Sequence, residues 1–210
     1  MAFYDSVAER LAFMKKLTPA ELKKLGSARL SDIVLQETKR ARVRVAELEK
    51  RYPRADTREL AQRLVDDKKN LASMVGGVSG VFGLVALPAD LLFMSYLQII
   101  LLTDVATLYK VNLKSERARG EMLDLFGYAN GLGPVHRSSP KVMGKLAAMV
   151  LEKGGMHTLG RAMPLVAAPI TAYFNNQHIQ RVGEQAVRFY EGFDKAHAKA
   201  KAAQRPHQTG

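Results

Sequence analysis

Asp90, Gln98 and Asp104 are the polar residues best placed to do chemistry, because they interrupt the most apolar part of the sequence. A carboxylate buried without partners costs several kcal/mol, so such residues need a reason to be there. On a helix Asp104 lies fourteen residues from Asp90, nearly four turns, and Gln98 lies eight from it. The three are therefore expected to line a polar seam, or to pair across a bundle with Asn175, Asn176 or Arg181. Asp90 also follows Pro88 closely enough to satisfy free amides in a first helical turn. Acid–base hydrolysis at such a seam would need a nucleophile or a metal beside it. The sequence offers neither in view. It has no cysteine, which excludes thiol catalysis and thiolate metal sites. His136, His157, His178, His197 and His207 have no metal-ligand spacing. Gly76, Gly77, Gly80 and Gly83 are not followed by the Gly-Lys-Ser/Thr of a phosphate loop, and the glycines around Ser79 are misplaced for a nucleophile elbow. No catalytic residue, metal or cofactor is assigned, and an enzyme is disfavoured.

The second group of note is cationic. Lys39, Arg40, Arg42 and Arg44 lie within one helical stretch and form a candidate site for anionic lipid or another anion. The whole chain carries 32 Lys and Arg against 20 Asp and Glu, a net charge of +12. That excess is uneven. Residues 1–70 hold 17 basic and 11 acidic side chains, whereas residues 71–103 hold Asp90 alone. A nearly uncharged middle thus lies between basic flanks, a pattern that attracts polyanions. No aromatic interleaving or zinc-finger signature accompanies the cations, so nucleic acid is an unfavoured partner.

The elements that must position these residues read as helices throughout. Thr18-Pro19-Ala20-Glu21 and Asp56-Thr57-Arg58-Glu59 resemble capping boxes. Leu30, Ile33, Val34, Ala41, Val45 and Leu48 form one apolar stripe ending near Arg51, and Tyr52-Pro53 stops it. Residues 71–89 carry no formal charge, and their length approaches a bilayer's hydrocarbon thickness. Glycine dilutes them, however, and Pro88 breaks the run. Two close-packed helices joined near residues 87–90 are expected instead, with Gly76, Gly80 and Gly83 as the packing surface. Further helices are expected from Asp90 to about Tyr109, after Ser115, over residues 139–152, and from Pro169 to about Phe193. The fold class is all-α: a single irregular multi-helix bundle with a Gly-rich apolar central hairpin. The organisation expected is an N-terminal basic helical extension over 1–56, a helical domain over 57–194, and a basic disordered tail over 195–210.

Several runs carry a resemblance. Ala61-Gln62-Arg63-Leu64, Gly76-Gly77, Leu87-Pro88-Ala89-Asp90-Leu91, Leu97-Gln98 and Ala106-x-Leu108-Tyr109 resemble the EcsC protein family, as does Pro164 to Pro169 with the helix after it. The resemblance covers roughly residues 60–193. It implies a helical fold, a membrane-related accessory role and no catalytic residue to transfer. The family often has glycine after the Leu-Tyr pair, where this chain has Lys110, and an arginine after the glutamine, where it has Ile99 and Ile100.

The function expected is that of a peripheral, membrane-associated helical accessory protein. The apolar hairpin would contact lipid and the basic helices anionic head groups. The alternative is a soluble interaction module without catalytic activity. Partners are then anionic membrane lipid, another protein or a second copy of the chain. Asp5 and Glu9 stand where a signal peptide would carry positive charge, so a cytoplasmic location is expected, with access to the inner face of the membrane.

Overall fold

The computed structural model describes residues 27–82, 87–131, 133–134 and 164–203. Five α-helices make up the described fold: α1 Ser27–Arg51, α2 Thr57–Phe82, α3 Leu87–Leu108, α4 Glu116–Ala129 and α5 Pro164–Ala203. The all-α expectation is met, and there is no strand among the described residues. The helices expected over 3–17 and 139–152, and Gly83, lie outside the described residues.

The helix boundaries follow local chemistry. Asp56 opens α2 by accepting a 2.7 Å hydrogen bond at Oδ1 from the Glu59 amide, one half of the expected capping box. α3 starts at Leu87, three residues before the expected start at Asp90, because Pro88 fits a first turn whose amides need no carbonyl partner. α5 starts at Pro164 and runs through Pro169, which cannot donate to the Leu165 carbonyl and leaves one missing rung. It also continues to Ala203, ten residues past the expected end, through an Ala- and Lys-rich stretch of strong helix formers.

α3 is the centre of the fold. Over residues 93–106 every side chain is buried except half-buried Ser95 and Tyr96. A helix apolar on all faces must be surrounded, and α1, α2, α4 and α5 all pack on it. Phe93, Leu97, Leu101, Leu102, Val105 and Ala106 join Val34 and Val45 of α1, Leu60, Leu64 and Val65 of α2, Met122 and Phe126 of α4, and Ile179 and Val182 of α5 in one core. Each large side chain so buried contributes about 1.5–3 kcal/mol.

α2 and α5 run antiparallel in a constant register. Arg58 pairs with Glu191 at 3.5 Å, Val65 meets Gly183, and Asn176 donates to Ser73 at 2.9 Å. α2 likewise packs antiparallel to α3, and the expected link between them, residues 83–86, lies outside the described residues. Arg119 of α4 ties α1 down by donating to Ser31 Oγ at 2.8 Å while also donating to the Leu113 and Lys114 carbonyls.

α3 ends in a left-handed residue. Lys110 has φ 58°, and the Val111 amide returns to the Ala106 carbonyl at 2.9 Å. This is the helix stop that normally uses glycine, since a Cβ there crowds the backbone. It gives a physical reason for glycine after the Leu-Tyr pair. Lys110→Gly is expected to raise stability by about 0.5–1 kcal/mol, strain relief exceeding the added freedom of the unfolded chain. A urea midpoint moving upward checks it, and a downward shift would refute it.

Candidate functional site

Two polar constellations surround α3, and two of the three residues of the expected seam, Gln98 and Asp104, are divided between them. The first is ionic. Asp104 is fully buried, and Arg44 of α1 grips it with Nε 2.8 Å from Oδ1 and 3.1 Å from Oδ2, and Nη2 2.6 Å from Oδ1. Lys68 of α2, also buried, places Nζ 3.5 Å from Asp104 Oδ2 and 2.8 Å from Asp67 Oδ2. Arg44 reaches back one side of α1 to Glu37 Oε2 at 3.4 Å. Glu37 is buried too, accepts 2.7 Å from the Tyr96 hydroxyl, and pairs with Arg40. Burial works against the charge on Arg44, but Asp104 and then Glu37 outweigh it, so the guanidinium titrates above its ordinary value.

The second constellation is uncharged. Asn130, at the end of α4, donates from Nδ2 to Gln98 Oε1 at 2.6 Å and to the Phe126 carbonyl at 2.7 Å. Those two bonds fix which way the amide faces. Its Oδ1 therefore accepts from His178 of α5 at 3.3 Å, which requires the proton on His178 Nε2. At the same level Asn176 meets Ser73, whose hydroxyl donates to the Lys69 carbonyl at 3.0 Å.

Gln98 and Asp104 therefore take different partners on different helices. Gln98 finds Asn130, and Asp104 finds Arg44 and Lys68. Asn176, offered as a partner for the seam, is instead engaged with Ser73. Asp90 lies in the first turn of α3, and its side-chain surroundings, like those of Gly76 and Gly80 on α2, lie outside the described residues. In the cationic group, Lys39 and Arg42 face solvent, Arg40 is exposed beside Glu37, and Arg44 is bound into the interior.

Glu37, Lys68, Tyr96 and Asn130 were not singled out in the sequence. Glu37 and Lys68 carried a usable signal. Glu37 stands three residues after Val34 and four before Ala41, and Lys68 stands four after Leu64, so both lie on their helix's apolar stripe. Tyr96 and Asn130 gave none, because their roles depend on contacts across the bundle.

Glu37, Lys68 and Asp104 have almost no exposed surface, and the ionic cluster links α1, α2 and α3. Among the described residues no group of His, Asp and Glu gathers as metal ligands would. No helix among them is long and apolar enough to cross a membrane.

A gradient along the bundle axis emerges from these positions. The ionic layer at Lys68 and Asp104 comes first. The amide layer at Ser73, Gln98, Asn130, Asn176 and His178 lies about 9 Å further along α3, six residues at 1.5 Å each. Beyond it lie the end of α2 and the starts of α3 and α5. Residues 71–89 carry no formal charge, and neither do residues 162–180. The antiparallel register sets residues 71–82 of α2 beside about 167–178 of α5.

No curated protein and no solved structure matches the chain. The EcsC protein family does match, over residues 12–141. That span takes in α1 to α4 and both partners of the Arg44–Asp104 pair, and it stops before α5. Covering well over half of the 210 residues, the match establishes that this chain belongs to the EcsC protein family.

Proposed function

We propose that this chain is a peripheral, non-catalytic accessory protein that works at a membrane surface. Its apolar hairpin end, where Asp90 is the one formal charge, would contact lipid, and its basic surface would hold anionic head groups. The observation that carries this reading is the axial gradient from ions through amides to three helix ends whose one formal charge is Asp90, in the first turn of α3. The same order of polarity is met on passing from water through head groups to hydrocarbon. Lipid contact then falls to the end of the hairpin rather than to its whole length, since α3 from Phe93 onward is enclosed by protein. The net charge of +12 supports the electrostatic half. Exposed cations on α1 near that end, such as Lys39 and Arg42, each contribute about 1 kcal/mol near an anionic leaflet. Arg44 is left out of that account because Asp104 holds it.

Flotation with vesicles tests the reading. Recovery with anionic vesicles is expected to exceed recovery with neutral ones and to fall as salt is raised. Equal recovery on both would remove the electrostatic half, and no recovery on either would remove the whole.

One feature favours protein docking as a second reading. The outer face of α1 presents Val43, 58% exposed, and Ala46 between Arg42 and Lys50. Concentration-dependent self-association without any vesicle binding would support it over the first.

A further inference from the structure

Distance divides the exposed cations of the bundle. Lys50, Arg51, Arg54 and Arg58 gather where α1 turns into α2, and all four are exposed. From Arg58 to Phe82, the far end of α2, is about 36 Å of helix at 1.5 Å per residue. Screening in physiological salt acts over about 8 Å, so these four add nothing to the attraction between the hairpin end and a leaflet. Lys110 and Lys114, also exposed, lie at the same end as Arg58. Tyr109 stacks on Tyr190 at 6.2 Å, and the next residue, Glu191, pairs with Arg58.

The tip that these residues form is held in one shape. The Tyr52 amide donates to the Leu48 carbonyl at 3.0 Å, and the Ala55 amide to the Tyr52 carbonyl at 3.1 Å. The Arg63 guanidinium lies 3.9 Å from the centre of the Tyr52 ring. Residues 50–58 hold four cations against Asp56 alone, and the acids of this turn are spent on its own structure. Asp56 holds the Glu59 amide, and Glu59 holds Arg63 at 2.7 Å. Arg58 has Glu191 at 3.5 Å, whereas Lys50, Arg51 and Arg54 have no acidic partner among the described residues. Glu47 and Glu49 stand just before the tip on α1, and they do not close on its cations.

We propose that this cationic tip docks an acidic segment of another protein, whose carboxylates meet Arg51, Arg54 and Arg58. A guanidinium fork matches a carboxylate at two points, and a tip already fixed in shape loses little freedom on binding it. Nucleic acid would match the charge, but its bases would lack a free ring to stack on, since Arg63 lies over Tyr52. A leaflet is a poorer occupant as well, because residues 50–58 expose no large apolar side chain to enter it. Preferring protein to lipid here also rests on the membrane reading, which gives the leaflet to the opposite end. The chain would then join a membrane to an acidic partner through its two ends.

Fluorescence anisotropy of a labelled oligoglutamate against the full chain tests this, with oligoglutamine as the uncharged control. Arg51→Gln with Arg54→Gln removes two tip cations, and Lys39→Gln with Arg42→Gln removes two from the other half of α1. All four positions are exposed, and unchanged thermal melts would establish that each variant folds. The tip variant is expected to bind oligoglutamate about ten-fold more weakly, and the other variant about two-fold at most. Flotation on anionic vesicles is expected to show the reverse order, with recovery kept by the tip variant and lowered in the other. Oligoglutamate binding no tighter than oligoglutamine, or equally weakened in both variants, would overturn the tip as a docking surface. Loss of vesicle recovery in the tip variant alone would assign the tip to lipid and overturn the proposal. A tighter and equally tip-dependent hold on a single-stranded oligonucleotide would overturn it in favour of nucleic acid. Absence of recovery on any vesicle, with tip-dependent oligoglutamate binding intact, would defeat the membrane reading and leave the acidic partner standing.

Discussion

Asp104→Ala is expected to lower stability by about 3–5 kcal/mol, the range for breaking a buried ion pair while leaving its partners in place. The size follows from what stays behind. Asp104 is the meeting point of two cations from two helices, and neither can reach water easily: Lys68 is 1% exposed, and the Arg44 side chain 16%. Without the carboxylate, Arg44 keeps Glu37 and Lys68 keeps Asp67, so each loses its shorter or more buried counter-charge rather than all of them. Arg44→Met should cost less, because Asp104 keeps Lys68 and Glu37 keeps the Tyr96 hydroxyl. The double variant Arg44→Met with Asp104→Leu removes both charges and refills the space, and is expected to recover much of the loss. Urea unfolding of the two single variants and the double variant gives the coupling directly. A loss under 1 kcal/mol for Asp104→Ala would mean that the cluster does not join the three helices.

That cluster marks the limit of what residue order alone conveys. The helical class, the stop at Tyr52-Pro53 and the cap at Asp56 were all readable, because each depends on neighbours within a few positions. The uncharged stretch 71–89 was readable as composition. What it packs beside was not: the second uncharged stretch lies some ninety residues away, and only the α2–α5 register unites them. Arg44 shows the same limit from the other side. It follows three cations and looks like part of a solvated basic face, yet the turn of the helix rotates it inward toward Asp104, sixty residues on. By their spacing to Asp90, Gln98 and Asp104 are expected to share a face. Six residues of helix separate them by about 120° at 100° per residue, enough to send them to different neighbours.

The same reasoning makes α2–α5 the contact on which the hairpin end depends, and Gly183 is its narrowest point. A Cβ built on Gly183 would lie 2.8 Å from Val65 Cγ1, closer still to Cγ2, and 3.2 Å from Val65 Cβ. Valine on a helix is held in one main rotamer, so it cannot swing aside. Gly183→Ala must therefore push the helices apart, at the upper end of the 1–3 kcal/mol that overpacking usually costs. Alanine returns about 1 kcal/mol of helix propensity. The net expectation is a loss of about 1–2 kcal/mol. Val65→Ala reverses the sign. In that background the new methyl enters space that Val65 has vacated, clash is gone, and Gly183→Ala is expected to stabilise by about 1 kcal/mol. Thermal or urea unfolding of the four chains reads both signs. If Gly183→Ala stabilised the wild-type chain as well, the Val65 side chain could not lie against Gly183 at this point. The register that brings residues 71–82 beside about 167–178 would then lose its central pin.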